Sequence, residues 1–418
     1  MSEAEKPPAA LLSDRAEDRL ASGRAWDDFC ESVRRAGHLI ERFGEEVDAL
    51  DRAEWYRFLT RLMRNGFERY MENCEPERPR LRDAPWRQGI NFQSPDQDHL
   101  LAEFVDGRFD YRITGIRGSI PYFVMAAWTA KHPADLGARD WAGQGVEGLA
   151  EFDPATLRTT GFLTSDEIRF DSEGNFEVIV SRERPAGEAD WLPITEDCVG
   201  LLVRVVHHRR EETLGPVMHI ARCDGAAPRP IRPAEVSEGL AKSAQMVLGY
   251  AELVRRWWQE GLSKRPNRIR FSRAVYLSNG GVPDRHHGFG TWVRSTGEAL
   301  VISFRPTPCD YWIFQLCNIW QENLDCYEEG QGYVTKYRAA YEPDGSVRIV
   351  IADANPGVGG NWIDPYGHAH GGMSLRLIKT QGEPPPVTLH RLPLATLAHE
   401  GWAALTPETA IVSGEITD

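Results

Sequence analysis

The stretch that decides the fold lies near the C-terminus, at residues 359–379, and has the sequence GGNWIDPYGHAHGGMSLRLIK. It begins with a Gly-Gly-Asn turn, continues through the apolar step Trp362-Ile363 and a His-x-His pair, and ends in alternating apolar residues at 373–377. Alternation with a period of two predicts a β-strand that buries one face. An earlier part of the chain repeats this arrangement without the histidines, so the stretch predicts the architecture of both halves.

The repeat consists of short segments that recur in the same order, at an offset of 171–172 residues for the later segments and 188 residues for the earliest one. The strand-like segment EGNFEVIVS begins at Glu173 and its counterpart DGSVRIVIA at Asp344, and Trp191 and Trp362 are separated by the same interval. Two arginine pairs follow the same order, namely Arg204 with Arg376 and Arg117 with Arg305. We therefore predict one helix-plus-β unit used twice. The shared tryptophans are expected to plug the two sandwiches, and the shared arginines to bond a sheet edge or a carboxylate.

Short alternating strands separated by turns predict a fold that is mainly β with helical additions (α+β). The expected form is two tandem antiparallel jelly-roll-like β-sandwiches. A helical segment precedes each sandwich, since apolar residues recur every three or four positions from Trp26 to Phe43 and from Leu240 to Trp258. The predicted organisation is a disordered tail over 1–24, N-terminal helices over 25–80, a first sandwich over 81–230, a connecting helix over 231–264, a second sandwich over 265–382 and a C-terminal tail over 383–418.

The composition narrows the class of partner and the compartment. The 418 residues include 62 acidic and 48 basic side chains, a net charge of −14, which disfavours a nucleic acid or an anionic membrane surface as a partner. No apolar run approaches the ~20 residues that a membrane span requires, and the acidic N-terminus lacks the apolar core of a signal peptide. Seven cysteines without a CxxC pair are typical of a reducing compartment, so we expect a cytoplasmic protein.

Several stretches resemble a known family. FRPTPCDYWIFQL at 304–316 and GNWIDPYGHAHGGMSLRLI at 360–378 resemble the bacterial DUF 1214 family, a domain of unknown function. FDYRITGIRGSIPYF at 109–123 and ADWLPITEDCVGLLVRV at 189–205 resemble its frequent N-terminal companion. The resemblance covers most of the chain. It implies a jelly-roll-like β-sandwich and no particular activity.

His368 and His370 distinguish the second half, because the first half has no histidine pair at the corresponding positions. Residues i and i+2 of an extended chain point to the same side, and neutral imidazoles bind transition metals such as zinc. With His286 and His287 as further ligands, the pair predicts a zinc-type metal site at one end of the second sandwich. The alternatives are general acid–base catalysis without a metal and polar loop histidines with no chemical role.

Asp364, which precedes a proline, has two interpretations. It either accepts the second N–H of a histidine ring and so completes a catalytic set of His368, His370 and Asp364, or it starts a turn, as Asp before Pro commonly does.

Aromatic residues are dense in the second half, and the chain contains 13 tryptophans. We predict that Tyr311, Trp312, Trp320 and Trp362 contact a small, largely apolar or ring-containing molecule. The sequence therefore predicts a protein that binds or processes such a molecule in its second sandwich. The alternatives are a non-catalytic structural module that forms homo-oligomers through its duplicated sandwiches, and a metal-dependent enzyme with histidine ligands.

Overall fold

The computed structural model of the chain describes residues 16–83, 93–102, 104–130, 157–227, 229–278, 281–324 and 332–413. The α-helices in these ranges are α1 (Ala16–Ala21), α2 (Arg24–His38), α3 (Ala49–Phe67), α4 (Pro233–Lys264), α5 (Arg273–Ser278) and α6 (Leu394–Glu400). The prediction of a disordered tail over 1–24 is wrong for Ala16–Ala21, which is helical, and residues 1–15 lie outside the described ranges. Arg19 of α1 is buried against Asp28 of α2 at 2.8 Å, which explains why this short segment is part of the fold.

The strands fall into two series separated by α4. The first series is β1 (Arg82–Asp83), β2 (Gln97–Ala102), β3 (Tyr111–Ile116), β4 (Tyr122–Ala130), β5 (Leu157–Thr164), β6 (Asn175–Ser181), β7 (Asp190–Pro193), β8 (Cys198–Val206) and β9 (Val217–Arg222). The second series is β10 (Arg268–Phe271), β11 (Arg285–Val293), β12 (Glu298–Phe304), β13 (Cys309–Cys317), β14 (Tyr333–Thr335), β15 (Val347–Ile351), β16 (Asn361–Ile363), β17 (His370–Thr380), β18 (Val387–Pro393) and β19 (Ala410–Ser413).

Each series forms two sheets that pack face to face. Sheet A has the order β1-β2-β8-β4-β5 and sheet B the order β7-β6-β3-β9, whereas sheet C is β10-β11-β17-β13-β14 and sheet D is β16-β15-β12-β18-β19. Strands β2 to β9 of the first unit therefore occupy the same relative places as β11 to β18 of the second. The α+β class with two β-sandwich units is confirmed. Two pairs depart from the expected antiparallel pattern, because β7 runs parallel to β6 and β16 runs parallel to β15.

Alternating apolar residues build the interior of each sandwich. In the first unit, Phe123 and Val203 of sheet A pack against Val178 of sheet B. In the second unit, Phe314 and Leu375 of sheet C pack with residues of sheet D. Because successive side chains of a strand point to opposite faces, the residues between these positions face outward, and in sheets A and C the outward faces are also covered by protein.

The outward faces of sheets A and C meet each other. A buried apolar cluster crosses this contact, and it includes Tyr122 and Val206 from sheet A together with Ile313 and Ile378 from sheet C. The helices cover a further part of the outer face of sheet C. Sheet C is therefore the central layer of the molecule, buried on both sides.

A helical cluster packs around Trp320, which lies in the turn after β13. Its ring contacts Phe43 and Trp55 at centroid distances of 4.9 Å and 4.7 Å, and Trp258 of α4 joins the same cluster. Helix α3 begins with a capping box, in which Asp48 accepts from the Asp51 backbone N–H at 2.9 Å and Asp51 accepts from that of Asp48 at 3.1 Å. The helices thus pack as a layer against the second sandwich.

Trp191 and Trp362 occupy matching strands, yet the expectation that they plug the sandwiches is wrong. The adjacent Leu192 and Ile363 take the interior positions, so the pleat directs both indoles outward. Trp362 packs beneath α6. Each indole N–H donates to a backbone carbonyl at the end of the neighbouring strand, at 3.2 Å for Trp191 and 2.9 Å for Trp362.

The prediction of a C-terminal tail over 383–418 is also wrong for most of that range. Strand β18 pairs with β12 along its length and β19 pairs with β18. The three prolines at 384–386 hide this element in the sequence, whereas the burial of Leu389 and Val387 in the second core shows it in the structure. No helix in the described part of the chain is long and apolar enough to cross a membrane.

A substitution at Leu389 tests the role of β18. Leu389 is fully buried, so we expect Leu389→Ala to lower the free energy of unfolding by about 2–5 kcal/mol, measured by urea denaturation. Thr388→Ala on the opposite face of the same strand is the matched control, with an expected loss below about 1 kcal/mol. Equal, small effects at both positions would show that residues 383–418 do not stabilise the sandwich.

Candidate functional site

His368 and His370 lie at the junction between helix α3 and the second sandwich. His368 Nε2 is 2.9 Å from Glu54 Oε2, and its Nδ1 is 2.9 Å from the carbonyl oxygen of Pro365. His370 Nε2 is 2.8 Å from Asp51 Oδ2. Because a carboxylate and a carbonyl only accept hydrogen bonds, both nitrogens of His368 donate, which matches a protonated ring.

The pKa of His368 agrees with this geometry. Burial alone lowers the pKa of this ring, but the hydrogen bond and charge of Glu54 together with the Pro365 carbonyl outweigh burial and raise it above the usual value. Nearby, burial raises the pKa of Glu322, an effect that the ion pair with Arg61 opposes. A charged histidine therefore pairs with a carboxylate between the helical layer and the sandwich.

The turn after β13 completes this junction. Asn318 Nδ2 donates to Glu54 Oε2 at 2.9 Å and to Glu322 Oε2 at 3.2 Å, and its Oδ1 accepts from the backbone N–H groups of Trp320 and Glu322. The Trp320 indole N–H donates to the Asp51 carbonyl at 3.1 Å. Asp51 and Glu54 of α3 are therefore held on several sides, and these contacts join the helical layer to sheet C.

The metal site predicted from four histidines is wrong, because the strand register separates the two pairs. β11 and β17 are antiparallel, with His287 opposite Arg376 and Val293 opposite His370. The step from His287 to Val293 along β11 spans roughly 20 Å at about 3.3 Å per residue. Within the described ranges, no group of three or more His, Cys, Asp and Glu side chains is placed to hold a metal. His286 instead contacts the carbonyl of Gly382 at 2.7 Å.

Asp364 starts a turn and does not orient a histidine. Its Oδ1 accepts from the backbone N–H of Tyr366 at 2.8 Å, and the carboxylates that contact His368 and His370 come from α3. An Asp before Pro readily bonds the backbone two residues on, so local turn chemistry takes this side chain. A catalytic role for His368, His370 and Asp364 stays a prediction.

The four aromatic residues predicted to contact one ligand pack in four different places. Trp312 lies inside the second sandwich and Trp320 in the helical cluster. Tyr311 lies between the sandwiches, stacked on His208 at 5.5 Å, and Trp362 lies beneath α6. Alternation along β13 directs Tyr311 and Trp312 to opposite faces, so the sequence cluster does not become a cluster in space.

A cavity of about 240 Å³ opens between α4 and the outer face of sheet C. Trp257 of α4, Phe289 of β11 and Ile319 after β13 give it apolar walls, and Arg265 and Arg268 stand at its rim. The rings of Trp257 and Phe289 are 6.3 Å apart. The surface of this cavity is mostly apolar although several polar residues line it, and a mostly apolar surface with placed polar groups is the usual form of a small-molecule site.

Three buried side chains that line this cavity have polar atoms without a hydrogen-bond partner among the described residues. They are Trp258 with its Nε1, Thr291 with its Oγ1 and Gln321 with its Oε1. Leaving such an atom unsatisfied costs about 1–3 kcal/mol, so three unsatisfied atoms on residues around one cavity make it a candidate site for a polar ligand atom. Gln321 also has φ of 61°, a left-handed conformation that is rare for a residue other than glycine.

A second cavity of about 340 Å³ lies between the first sandwich and α4. Most of its charged residues are paired: Arg229 contacts Glu77 at 3.1 Å as well as Glu235, and Arg108 contacts Asp106. These polar groups already have partners within the chain, so this cavity makes a weaker candidate than the first.

Sequence reasoning missed His99 and assigned His287 to a metal site, although both histidines lie between the two sandwiches. His99 lies directly opposite Arg204 in sheet A, and His287 lies directly opposite Arg376 in sheet C. A signal for them was present, because the interval from His99 to His287 equals the interval from Arg117 to Arg305 in the repeat. Histidines with partners on neighbouring strands are found by aligning the two halves rather than by scanning for His-x-His.

The pKa of His368 leads to a stability prediction. Because the folded-state pKa is raised, the stabilisation from its pair with Glu54 is fully present below the unfolded value of about 6.5 and is lost as pH rises through the folded pKa. We expect Glu54→Gln to lower stability by about 1–3 kcal/mol at pH 6 and by clearly less at pH 9, measured by denaturation at both pH values.

The control for that measurement is Glu31→Gln, which makes the same substitution in the exposed Arg34–Glu31 pair of α2. The control variant is expected to show no such change between pH 6 and pH 9. An effect of Glu54→Gln that is equal at both pH values would contradict a charged His368.

Comparison with known proteins places the chain in a family. No family model matches the sequence, and no curated protein matches it. Among solved structures, a putative uncharacterized protein from Burkholderia cenocepacia aligns with a TM-score of 0.80 at 30% identity, over 92% of this chain and 100% of that chain. The VPA0106 protein from Vibrio parahaemolyticus aligns with a TM-score of only 0.43 at 10% identity, over 79% and 97% of the two chains. The chain belongs to the same family as the Burkholderia cenocepacia protein.

Proposed function

We propose that the chain binds a small ring-containing molecule in the cavity between α4 and the outer face of sheet C. The single observation that supports this most is the group of unsatisfied polar atoms on Trp258, Thr291 and Gln321, three residues that line a cavity with mostly apolar surface. A ligand there removes apolar surface from water and also supplies the missing hydrogen bonds.

The size of the cavity sets the size of the ligand. A cavity of roughly 150 Å³ lined by apolar side chains accommodates benzene, and the present cavity of about 240 Å³ is larger. It therefore suits a substituted ring or a two-ring system. Trp257 and Phe289 offer ring faces and edges for aromatic contacts, which contribute about 0.5–1.5 kcal/mol beyond area burial.

The polar atoms set the chemistry of the ligand. Trp258 Nε1 is a donor and Gln321 Oε1 is an acceptor, whereas the Thr291 hydroxyl is both. A hydroxyl group on the ring meets this combination, because it donates one hydrogen bond and accepts others. Arg265 and Arg268 at the rim favour a further substituent with negative charge that points toward solvent.

We also propose that the two units descend from one duplicated helix-plus-sandwich unit and that the chain is related to the DUF 1214 family. The shared strand order and the matched hydrogen bonds of Trp191 and Trp362 support the duplication. A cytoplasmic location is proposed in addition. The free cysteines Cys30, Cys74, Cys198, Cys223, Cys309 and Cys317 support a reducing compartment.

The first test of ligand binding uses probes matched to the cavity. We expect phenol, 2-naphthol or 4-hydroxybenzoate to bind saturably, with a change in tryptophan fluorescence. Trp257→Ala should weaken binding at least tenfold, because it removes one aromatic wall. Trp26→Ala, at an exposed tryptophan of α2, is the matched control and should bind as the wild type does. Failure of all three probes to bind, or equal affinity in the two variants, would contradict the proposal.

A second test separates ligand recognition from stability. Gln321 adopts a left-handed conformation that costs a non-glycine residue about 1–2 kcal/mol, so Gln321→Gly should leave the free energy of unfolding within about 1 kcal/mol of the wild type. We expect the same variant to bind 2-naphthol at least tenfold more weakly, because the accepting oxygen is lost.

The control for Gln321 is Asn267, which has φ of 57° but bonds the backbone of Val293 through both side-chain atoms, at 2.8 Å and 2.9 Å. Asn267→Gly should therefore lose stability and keep ligand affinity. A reversal of the two results would assign Gln321 a structural role.

A further inference from the structure

Two histidine–arginine pairs occupy equivalent positions in the two sandwiches. His99 on β2 lies opposite Arg204 on β8, and His287 on β11 lies opposite Arg376 on β17. The next strand completes each row with an aliphatic side chain, which is Val124 in sheet A and Ile313 in sheet C. Directly opposed residues of an antiparallel pair share one face, so each row points outward from its sandwich.

These outward rows meet, because the outer faces of sheets A and C pack against each other. The apolar cluster of Tyr122, Val206 and Ile378 lies immediately beside them, and Arg285 of β11 donates to the Tyr122 hydroxyl at 3.2 Å across the contact. The charge of Arg376 lowers the pKa of His99 in the other sandwich, and the charge of Arg204 lowers the pKa of His287 in the same way. The two pairs therefore face each other in one place.

The charges in this place are positive and held close together. Burial lowers the pKa of both Arg204 and Arg376 to about 10, and each of the two also lies within electrostatic reach of Arg285. Burial and the nearby arginines hold the pKa of His99 and His287 well below the usual histidine value, so both rings are neutral at pH 7. The Nε–H of Arg376 donates to His287 Nε2 at 2.9 Å, which places the ring proton of His287 on Nδ1.

Among the described residues, three carboxyl groups near the pairs balance this positive charge only in part. Asp284 contacts Arg285 at 3.3 Å, and Asp98 contacts His207 and Arg210, both at 2.8 Å. Asp96 is buried, and its burial raises its pKa to about 7. Its carboxyl group is therefore partly protonated at neutral pH and a weak counter-charge.

Unsatisfied polar atoms surround the same place. Ser374 and Gln315 are opposed across β17 and β13, close to Arg376 along the strands, and both are fully buried. Ser374 Oγ and Gln315 Oε1 have no partner among the described residues, and the same holds for Ser94 Oγ and His99 Nε2. Buried hydroxyl and amide groups of this kind are normally hydrogen-bonded. Their grouping beside clustered arginines indicates a ligand, independently of the arginines themselves.

We propose that the two facing His–Arg pairs form a binding site for the oxyanion group, carboxylate or phosphate, of a small ligand held between the sandwiches. An oxyanion relieves the mutual repulsion of Arg204, Arg285 and Arg376, and guanidinium groups match its geometry. Neutral His99 adds a hydrogen-bond group without adding charge, and the Ser374 hydroxyl adds a donor. The site adjoins the cavity beneath α4, because Ser374 lies directly opposite Phe289, but its arginines do not line that cavity and the proposal does not depend on ligand binding there.

The test is isothermal titration calorimetry of the full chain with sodium phosphate and, separately, with sodium acetate at constant ionic strength. We expect at least one of the two anions to bind with a stoichiometry of one, and the anion that binds identifies the oxyanion class. Arg204→Gln and Arg376→Gln form a matched pair from the two sandwiches, and each should weaken binding at least tenfold. Arg112→Gln, at an exposed arginine on the outer face of β3, should leave the affinity unchanged.

A structural role of the arginines is separated from anion binding by two further measurements. Arg376→Lys keeps the positive charge but loses the planar guanidinium group. We expect this variant to fold and to bind the anion with intermediate affinity, so it replaces a glutamine variant that fails to fold. In the wild type, the bound anion should slow hydrogen–deuterium exchange in β8 and β17. The proposal is overturned if neither anion binds, if both glutamine variants bind as the wild type does, or if Arg112→Gln alone abolishes binding.

Discussion

Sheet C packs against other layers on both of its faces, and this double burial constrains every other part of the molecule. Its inner face contacts sheet D through a continuous apolar core, while its outer face contacts sheet A at one end and the helical layer at the other. A sheet buried on both faces has no solvated side for polar residues. The polar groups of its outer face must therefore be satisfied by other layers or by a ligand.

The outer face of sheet C meets this requirement in three ways along its length. Near the start of β17, His368 and His370 are satisfied by Glu54 and Asp51 of α3, and that end serves to dock the helices. Around Phe289 lies the cavity with unsatisfied atoms of its own. Further along the same strands are the facing His–Arg pairs. The end with His368 and His370, which the sequence predicted to be an active site, is thus the one whose polar groups are best satisfied. The cavity and the facing His–Arg pairs, which both have unsatisfied polar atoms, lie further along the sheet.

The sequence predicted the α+β class and two sandwiches, because alternation with period two survives in β6, β8, β15 and β17. It missed β18, since 383–418 begins with consecutive prolines and only pairing with β12 reveals the strand. Trp362 and Ile363 are adjacent in sequence, and which of them faces the interior depends on register. The predicted histidine site failed for a related reason: His287 and His370 share a strand pair, but their positions along it are opposite ends. Periodicity indicates which residues share a face, whereas convergence of distant segments depends on strand order.

The most direct test of this account is an experimental electron-density map of the chain after soaking with 2-naphthol. The account predicts density for a ring between Trp257 and Phe289, with its oxygen within hydrogen-bond distance of Trp258 Nε1 and Gln321 Oε1. A map in which those two atoms bond only to residues of the chain, with no ring in the cavity at saturating 2-naphthol, would contradict it.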